Sequence, residues 1–141
     1  MVIDSVHDGI VIDHITAGRA MEIYSLLGLG QLDCTVAILK NVPSKRMGKK
    51  DIIKIDSAIA IDTDVLGYIS PSITVDIIRD GQVVEKKHIE LPERLVNIVR
   101  CRNPRCITTT EQEIPHIFRL TDPKRGVYRC VYCDTAATHK I

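Results

Sequence analysis

The sequence has no tryptophan and one phenylalanine, and aromatic residues make up 4% of its 141 positions. Proteins that bind single-stranded nucleic acid stack bases on aromatic rings, so few platforms for that mode exist here. Excess charge is also lacking. Lys and Arg number 19 against 18 Asp and Glu, a formal net charge of +1, which argues against a surface coated in positive charge for nucleic acid. No apolar run approaches the roughly 18 residues of a membrane-spanning helix. The opening residues lack the basic start, long apolar stretch and small-residue cleavage site of a secretory signal, so the expected location is the cytoplasm. Neither G-x-x-x-x-G-K-[ST] nor G-x-G-x-x-G occurs; "GLG" at 28–30 reads as a helix end rather than a phosphate-cradling loop. Internal repeats and low-complexity segments are missing too. What remains is 45% hydrophobic, the composition of a folded globular chain with one ordinary domain or two small ones.

Cysteine is scarce and unevenly placed. Four of the five cysteines form two close pairs, Cys101 with Cys106 and Cys130 with Cys133, in "VRCRNPRCITTT" and "VYRCVYCDT". In a reducing compartment such C-x4-C and C-x2-C spacing points to metal ligands rather than disulfides. Zinc takes a tetrahedron of thiolates, and a short knuckle presents two sulfurs to one ion. Pro104 suits a turn in the first knuckle, and the segment from Tyr128 reads as a strand entering the second. Buried free thiols are the plainer alternative, but two pairs at zinc-ribbon spacing seldom arise by accident. Four protein thiolates would fill the coordination sphere, so the expected role is structural, with one zinc per chain. That metal would supply folding free energy that a unit of about 40 residues draws poorly from its own core. Cys34, alone in the apolar run "LDCTVAILK", reads as a core residue.

Residues 1–99 carry 11 Lys or Arg against 14 Asp or Glu, and residues 100–141 carry 8 against 4, so the cysteine-bearing tail is locally basic. The earlier part reads as a separate α+β unit in the order β-α-β-β-α-β-β. A strand passes through Val11 and Ile12. A helix follows, with Thr16 as its N-cap and Ala20, Ile23, Tyr24 and Leu27 on its apolar face. "CTVAILKNV" is a strand expected to stop at Pro43, "KKDIIKIDS" is another, and Asp62 caps a short second helix. "SITVDIIRDGQVVEKKHIEL" is a hairpin turning at Asp80-Gly81. Short connections favour a mainly antiparallel sheet with two helices on one face, joined through "LPERLVNIV" to a small zinc-ribbon-like β domain. The expected domains are 1–94 and 95–141.

Candidate chemistry in the first unit is thin. Asp13 and His14 stand at a strand end, Lys49, Lys50 and Lys54 approach the third strand, and Lys86 and Lys87 close the hairpin. Solvated charges at strand ends are the bland reading. Convergence of these cations on a nucleotide phosphate is the sharper one, and no spacing rule decides between them. A Ser25, His14, Asp13 triad has nothing in the sequence to assemble it.

The segments "GIVIDHI", "VPSKRMGKKDIIKID", "SPSITVDIIRDGQVVEKKHIELPERLVNIVRCRNPRCIT" and "YRCVYC", in this order and over almost the whole length, resemble the regulatory chains of aspartate carbamoyltransferase. The resemblance implies a noncatalytic subunit with an N-terminal domain that binds the effectors ATP and CTP, and a C-terminal zinc domain that docks on catalytic chains. It implies pairing of regulatory chains through their N-terminal domains, an assembly of six catalytic and six regulatory chains, and allosteric control of pyrimidine biosynthesis. Neither a membrane nor a nucleic acid is an expected partner. Carried over by position, the effector site takes Ile3, Asp4, Ser5 and Val6 from the N-terminal segment, and Val11, Asp13 and His14 from the first strand. Lys50, Ile52 and Lys54 come from "MGKKDIIKI", with Lys54 toward base and ribose and Lys50 near the phosphates. Asp76, Ile78, Val83 and Lys86 come from the hairpin, Lys86 as a phosphate contact. Asp76 stands where enterobacterial chains have asparagine, and Gly81 where they have tyrosine. The alternative reading is a nucleic-acid-binding zinc ribbon, drawn from Arg100, Arg102, Arg105, Arg119, Arg125 and Arg129. Those arginines, with "IPHIFRL", equally suit a protein-docking surface.

Overall fold

The structure, a computed structural model, describes residues 6–137, and the chain divides into two compact units, 1–90 and 91–141. The division falls four residues before the expected 94/95 boundary, because Arg94–Val96 is a strand that pairs within the second unit.

In the first unit, β1 (Gly9–Thr16), β2 (Val36–Ser44), β3 (Gly48–Ile55), β4 (Thr74–Arg79) and β5 (Gln82–His88) form one antiparallel sheet in the order β2-β3-β1-β4-β5. Two short helices, α1 (Ala20–Leu26) and α2 (Thr63–Ile69), accompany it. Alternation along the strands explains the layering. Ile10, Ile12, Ile53, Ile55 and Val75 are buried on one face, and α1 and α2 contribute Ala20, Ile23, Val65, Leu66 and Ile69 to the same core. Each full burial of such a side chain is worth about 1.5–3 kcal/mol.

The alternation breaks once in β1. Ile12 and Ile15 are both fully buried although three positions apart, because the register against β3 shifts between them and His14 sits at φ 57°. This is a β-bulge, and it re-aims the Asp13-His14 pair. A second bulge in β2 places Asn41 at φ 59°. Pro43 does not end β2, which runs to Ser44 and pairs Pro43 with Lys49; β2 is an edge strand, where a missing N–H is tolerated. The hairpin turns at Asp80 and Gly81, with φ 52° and 74° as the twist of a two-residue loop requires.

Asp62 caps α2 as expected, accepting the Asp64 N–H at 3.0 Å. Thr16 does not cap α1: it is the last residue of β1, and the N-cap residue Arg19 makes no side-chain cap bond. Asp51, on β3, takes that role from outside the helix. Its carboxylate is fully buried and accepts N–H bonds from Gly18 (2.9 Å), Ala20 (3.2 Å) and Asn41 (3.0 Å), tying the start of α1 to the β2 bulge. Cys34 is half-buried in the loop before β2 rather than in the core.

The second unit is smaller. Strands β6 (Arg94–Val96), β7 (Ile117–Asp122) and β8 (Val127–Cys130) form an antiparallel sheet, with the one-turn helix α3 (Ile107–Thr110) between β6 and β7. Leu95 pairs with Phe118, Phe118 with Cys130, and Leu120 with Tyr128; Leu95, Phe118 and Tyr128 are buried. The Tyr128 hydroxyl donates to the Pro92 carbonyl at 2.6 Å. Phe118 is therefore core, while Ile117 and Leu120 are half-buried.

Candidate functional site

The second unit brings its two cysteine pairs together. Cys101 precedes a turn through Pro104, Cys106 N-caps α3, Cys130 ends β8, and Cys133 closes the tight turn after it. Their four sulfurs lie within 4.8 Å of one another, with Cys101 and Cys133 at 3.5 Å and Cys106 and Cys130 at 3.7 Å. These separations far exceed a disulfide bond. They match the edge of about 3.8 Å expected for a tetrahedron with metal–sulfur bonds of about 2.3 Å. Backbone geometry supports the cage. Asp134, at φ 65°, donates its N–H to the Cys130 carbonyl at 2.9 Å, and the Cys101 N–H donates to His116 Nδ1 at 3.0 Å.

The thiols differ in acidity. Burial pushes Cys101 up to about 12, with contributions from the neighbouring Cys133 and Cys106. Cys130 is also raised, mainly by burial. In Cys133 burial pulls upward but is outweighed by hydrogen bonding to Thr135, whose hydroxyl lies 3.2 Å from the sulfur, so that thiol falls to about 6. A cation among the four sulfurs would favour thiolates throughout. The donor set thus fits a soft, tetrahedral ion with no position left over for substrate.

The first unit presents a second arrangement, on the sheet face turned away from the helices. Directly opposed residues in a sheet point to the same side. Registers place Lys54 opposite Val11, Val11 opposite Asp76, and Asp76 opposite Lys86, so one row crosses β3, β1, β4 and β5. Ile52 and Lys50 share the parity of Lys54 along β3, and Ile78, paired with Val83, extends the face toward the hairpin turn. Val83 and Lys86 are exposed, whereas the row members on the inner strands are half-buried.

Beside the row lies the bulge cluster. Lys50 Nζ is 3.0 Å from Asp13 Oδ1, and both side chains are about four-fifths buried, at 16% and 20% exposure. His14 is held from two sides: its ring Nδ1 is 3.0 Å from the Thr74 hydroxyl, and its carbonyl accepts from the Ser72 hydroxyl at 2.8 Å. In this partly dry corner the Lys50 ammonium can offer a charge-assisted hydrogen bond to an anion, with the His14 ring beside it. Val6 is buried at 6% exposure, against Gly9, where a Cβ would collide with the Ile55 carbonyl oxygen. Ile3, Asp4 and Ser5 lie outside the described residues.

Two further features, one in each unit, were not legible beforehand. One is Asp51, whose only signal is a carboxylate in phase with Ile53 and Ile55 on the buried face of β3. The other is a groove of about 780 Å³ in the second unit, lined by Asn97, Arg100, Cys101, Gln112, Glu113 and His116 among others.

Comparisons with known proteins agree with this division. Residues 1–90 match the family model of the aspartate carbamoyltransferase regulatory chain, allosteric domain, and residues 93–141 match that of the same chain's metal binding domain. The chain belongs to the aspartate carbamoyltransferase regulatory chain family. It is 48% identical to the regulatory chain of Clostridium botulinum over 134 residues, covering 95% of this chain and 92% of that one. The regulatory chain of Clostridium tetani is 48% identical over 135 residues, 95% and 94% of the two chains. That of Bifidobacterium longum is 44% identical over 137 residues, 97% and 99%. Membership makes this a regulatory, noncatalytic chain, and its four-cysteine cluster lies in the segment matched by the metal-binding model. Among the described residues, no helix is long and apolar enough to cross a membrane.

Proposed function

We propose that this chain is the effector-binding subunit of aspartate carbamoyltransferase, taking ATP and CTP in competition on the sheet face of the first unit and passing their effect to catalytic chains. The observation that carries the reading is the strand register, which gathers Lys54, Val11, Asp76 and Lys86 in one row beside the Lys50, Asp13 and His14 cluster. A nucleoside triphosphate suits that face. Its phosphates carry several negative charges for Lys50, His14 and Lys86, while Val11, Ile52 and Ile78 offer apolar contact to a base.

Zinc is the proposed metal, one per chain, held by Cys101, Cys106, Cys130 and Cys133. Its chemistry there is structural, since four thiolates complete its coordination. The metal would hold the knuckles so that the second unit docks on catalytic chains. Ile114, Pro115 and His116 line the groove beside Cys101, and Arg100, Arg102 and Arg105 are exposed, which supports a polar, arginine-rich contact there. Phe118, being core, is not part of it. Regulatory chains would pair through the first unit, in an assembly of six catalytic and six regulatory chains that controls pyrimidine biosynthesis.

Allostery requires a nucleotide to favour one quaternary state, with a coupling of about 1–3 kcal/mol. The test is to combine the chain with the catalytic subunit of the same organism and measure carbamoyl transfer to aspartate with and without ATP or CTP. A nucleotide-dependent rate that vanishes when the chain is omitted supports the reading. A rate indifferent to the chain and to nucleotides contradicts it.

A further inference from the structure

Asp76 holds an unpaired oxygen. Among the described residues, its Oδ1 is the one buried side-chain oxygen or nitrogen without a hydrogen-bond partner. The contrast with Asp13 on the next strand is direct: Asp13 Oδ1 has Lys50 Nζ at 3.0 Å and the His14 N–H at 2.6 Å. Asp76 is flanked in its row by Val11 and Lys86, with Lys54 one strand beyond, yet no ion pair links it to either lysine among the described residues. An unmatched buried acceptor is costly, and an ionised carboxylate can only accept. What completes it must therefore bring a proton on nitrogen or oxygen. An unprotonated phosphate oxygen does not, and its charge is repelled.

We propose that Asp76 determines specificity at the nucleotide site by accepting a hydrogen bond from a neutral donor of the ligand, either an exocyclic amino group of the base or a ribose hydroxyl. This rests on the nucleotide reading given above. Lys54 and Lys86 share the row with Asp76 and are long enough to reach toward the phosphates, so a ligand on this face would exchange an unmatched acceptor for a matched one. An asparagine at this position would also offer two N–H donors and tolerate acceptors opposite it; the carboxylate does not. The site should therefore penalise any ligand that lacks the donor or replaces it by a carbonyl, because two acceptors would then face each other.

The experiment is calorimetric titration of the full zinc-loaded chain with ATP, 2′-deoxy-ATP, 3′-deoxy-ATP, CTP and UTP, for the native protein, Asp76→Leu and Asp76→Asn. The deoxy pairs isolate the ribose hydroxyls, and the CTP–UTP pair isolates the amino group. In the native chain at least one missing donor should weaken binding about tenfold or more, the range for a hydrogen bond to a charged group. Asp76→Leu, which removes the acceptor, should bring that ratio to within about twofold. Asp76→Asn keeps one acceptor oxygen but adds donors, and should lower the ratio at least about threefold; it carries the same test should leucine prevent folding. Discrimination that is absent in the native chain, or equal in native and variant chains, overturns the role of Asp76 while leaving nucleotide binding intact. Failure of the native chain to bind any nucleotide overturns the nucleotide reading and this assignment with it.

Discussion

The two units are held together by different physics. Among the described residues, sixteen apolar side chains from Val6 to Ile89 are buried in the first unit, whereas the second buries Leu95, Phe118 and Tyr128 besides three cysteines. The first unit can draw its stability from apolar burial, as a domain of its size ordinarily does. The second has about 50 residues and a three-sided core, too little to fold on apolar area alone, so the metal cage must supply the difference. Burden and function are thereby separated: the unit with its own core can present a ligand face, and the unit that depends on metal is the one whose surface a metal can switch on or off.

The largest effect should come from breaking the cage. Cys130→Ser should lose the metal and unfold the second unit, since metal binding to such sites is worth about 10–16 kcal/mol at neutral pH. The first unit should stay folded, as metal analysis and backbone NMR would read. In the opposite direction, Ile53→Ala, at a fully buried position of β3, should destabilise the first unit by about 2–5 kcal/mol in urea without changing metal content. Asp51→Ala should cost about 3 kcal/mol in the same unit by leaving the Gly18, Ala20 and Asn41 N–H groups without their acceptor. Lys86→Ala should weaken ATP and CTP by roughly 1–3 kcal/mol in calorimetry while leaving stability unchanged; unaltered affinity would remove Lys86 from the site.

The smallest effect is chemical. In protein stripped of metal the second unit should unfold, so its cysteines should all react with an alkylating agent at neutral pH, the buried Cys101 no less than Cys133. Mass spectrometry of timed alkylation would expose a cysteine that stays protected. With metal bound, acid should expel the ion, since every ligand must shed its proton to bind.

Much of this was legible in the sequence, and the illegible parts have a common cause. Alternation in "GIVI" and "DIIKI", the Asp80-Gly81 turn and the spacing of four cysteines are local signals, and local rules read them. The residues proposed for the effector face were named through family resemblance; strand registers are what set Lys54, Val11 and Asp76, which stand 22 to 65 positions apart, in one row. The role of Asp51 was missed because its partners at Gly18 and Ala20 are 33 and 31 residues away, and capping rules look for an acceptor at the helix start. Thr16 met those rules and lost to the strand, whose pairing of Thr16 with Lys50 satisfies its backbone instead. Of the apolar residues in "IPHIFRL", Phe118 is the one that enters the core, where β7 sets it between Leu95 and Cys130.

The central claim is that metal governs docking and the apolar core governs nucleotide binding. Its most direct test begins with the complex of this chain and its catalytic subunit, followed by light scattering as chelator and a thiol reagent are added, with calorimetric titration of ATP before and after. The account predicts that the mass falls to free catalytic subunits as the metal leaves, while the released chain keeps its nucleotide affinity to within about twofold, as expected for sites in separate folding units. A complex that survives metal removal, or nucleotide binding that disappears together with the metal, would contradict it.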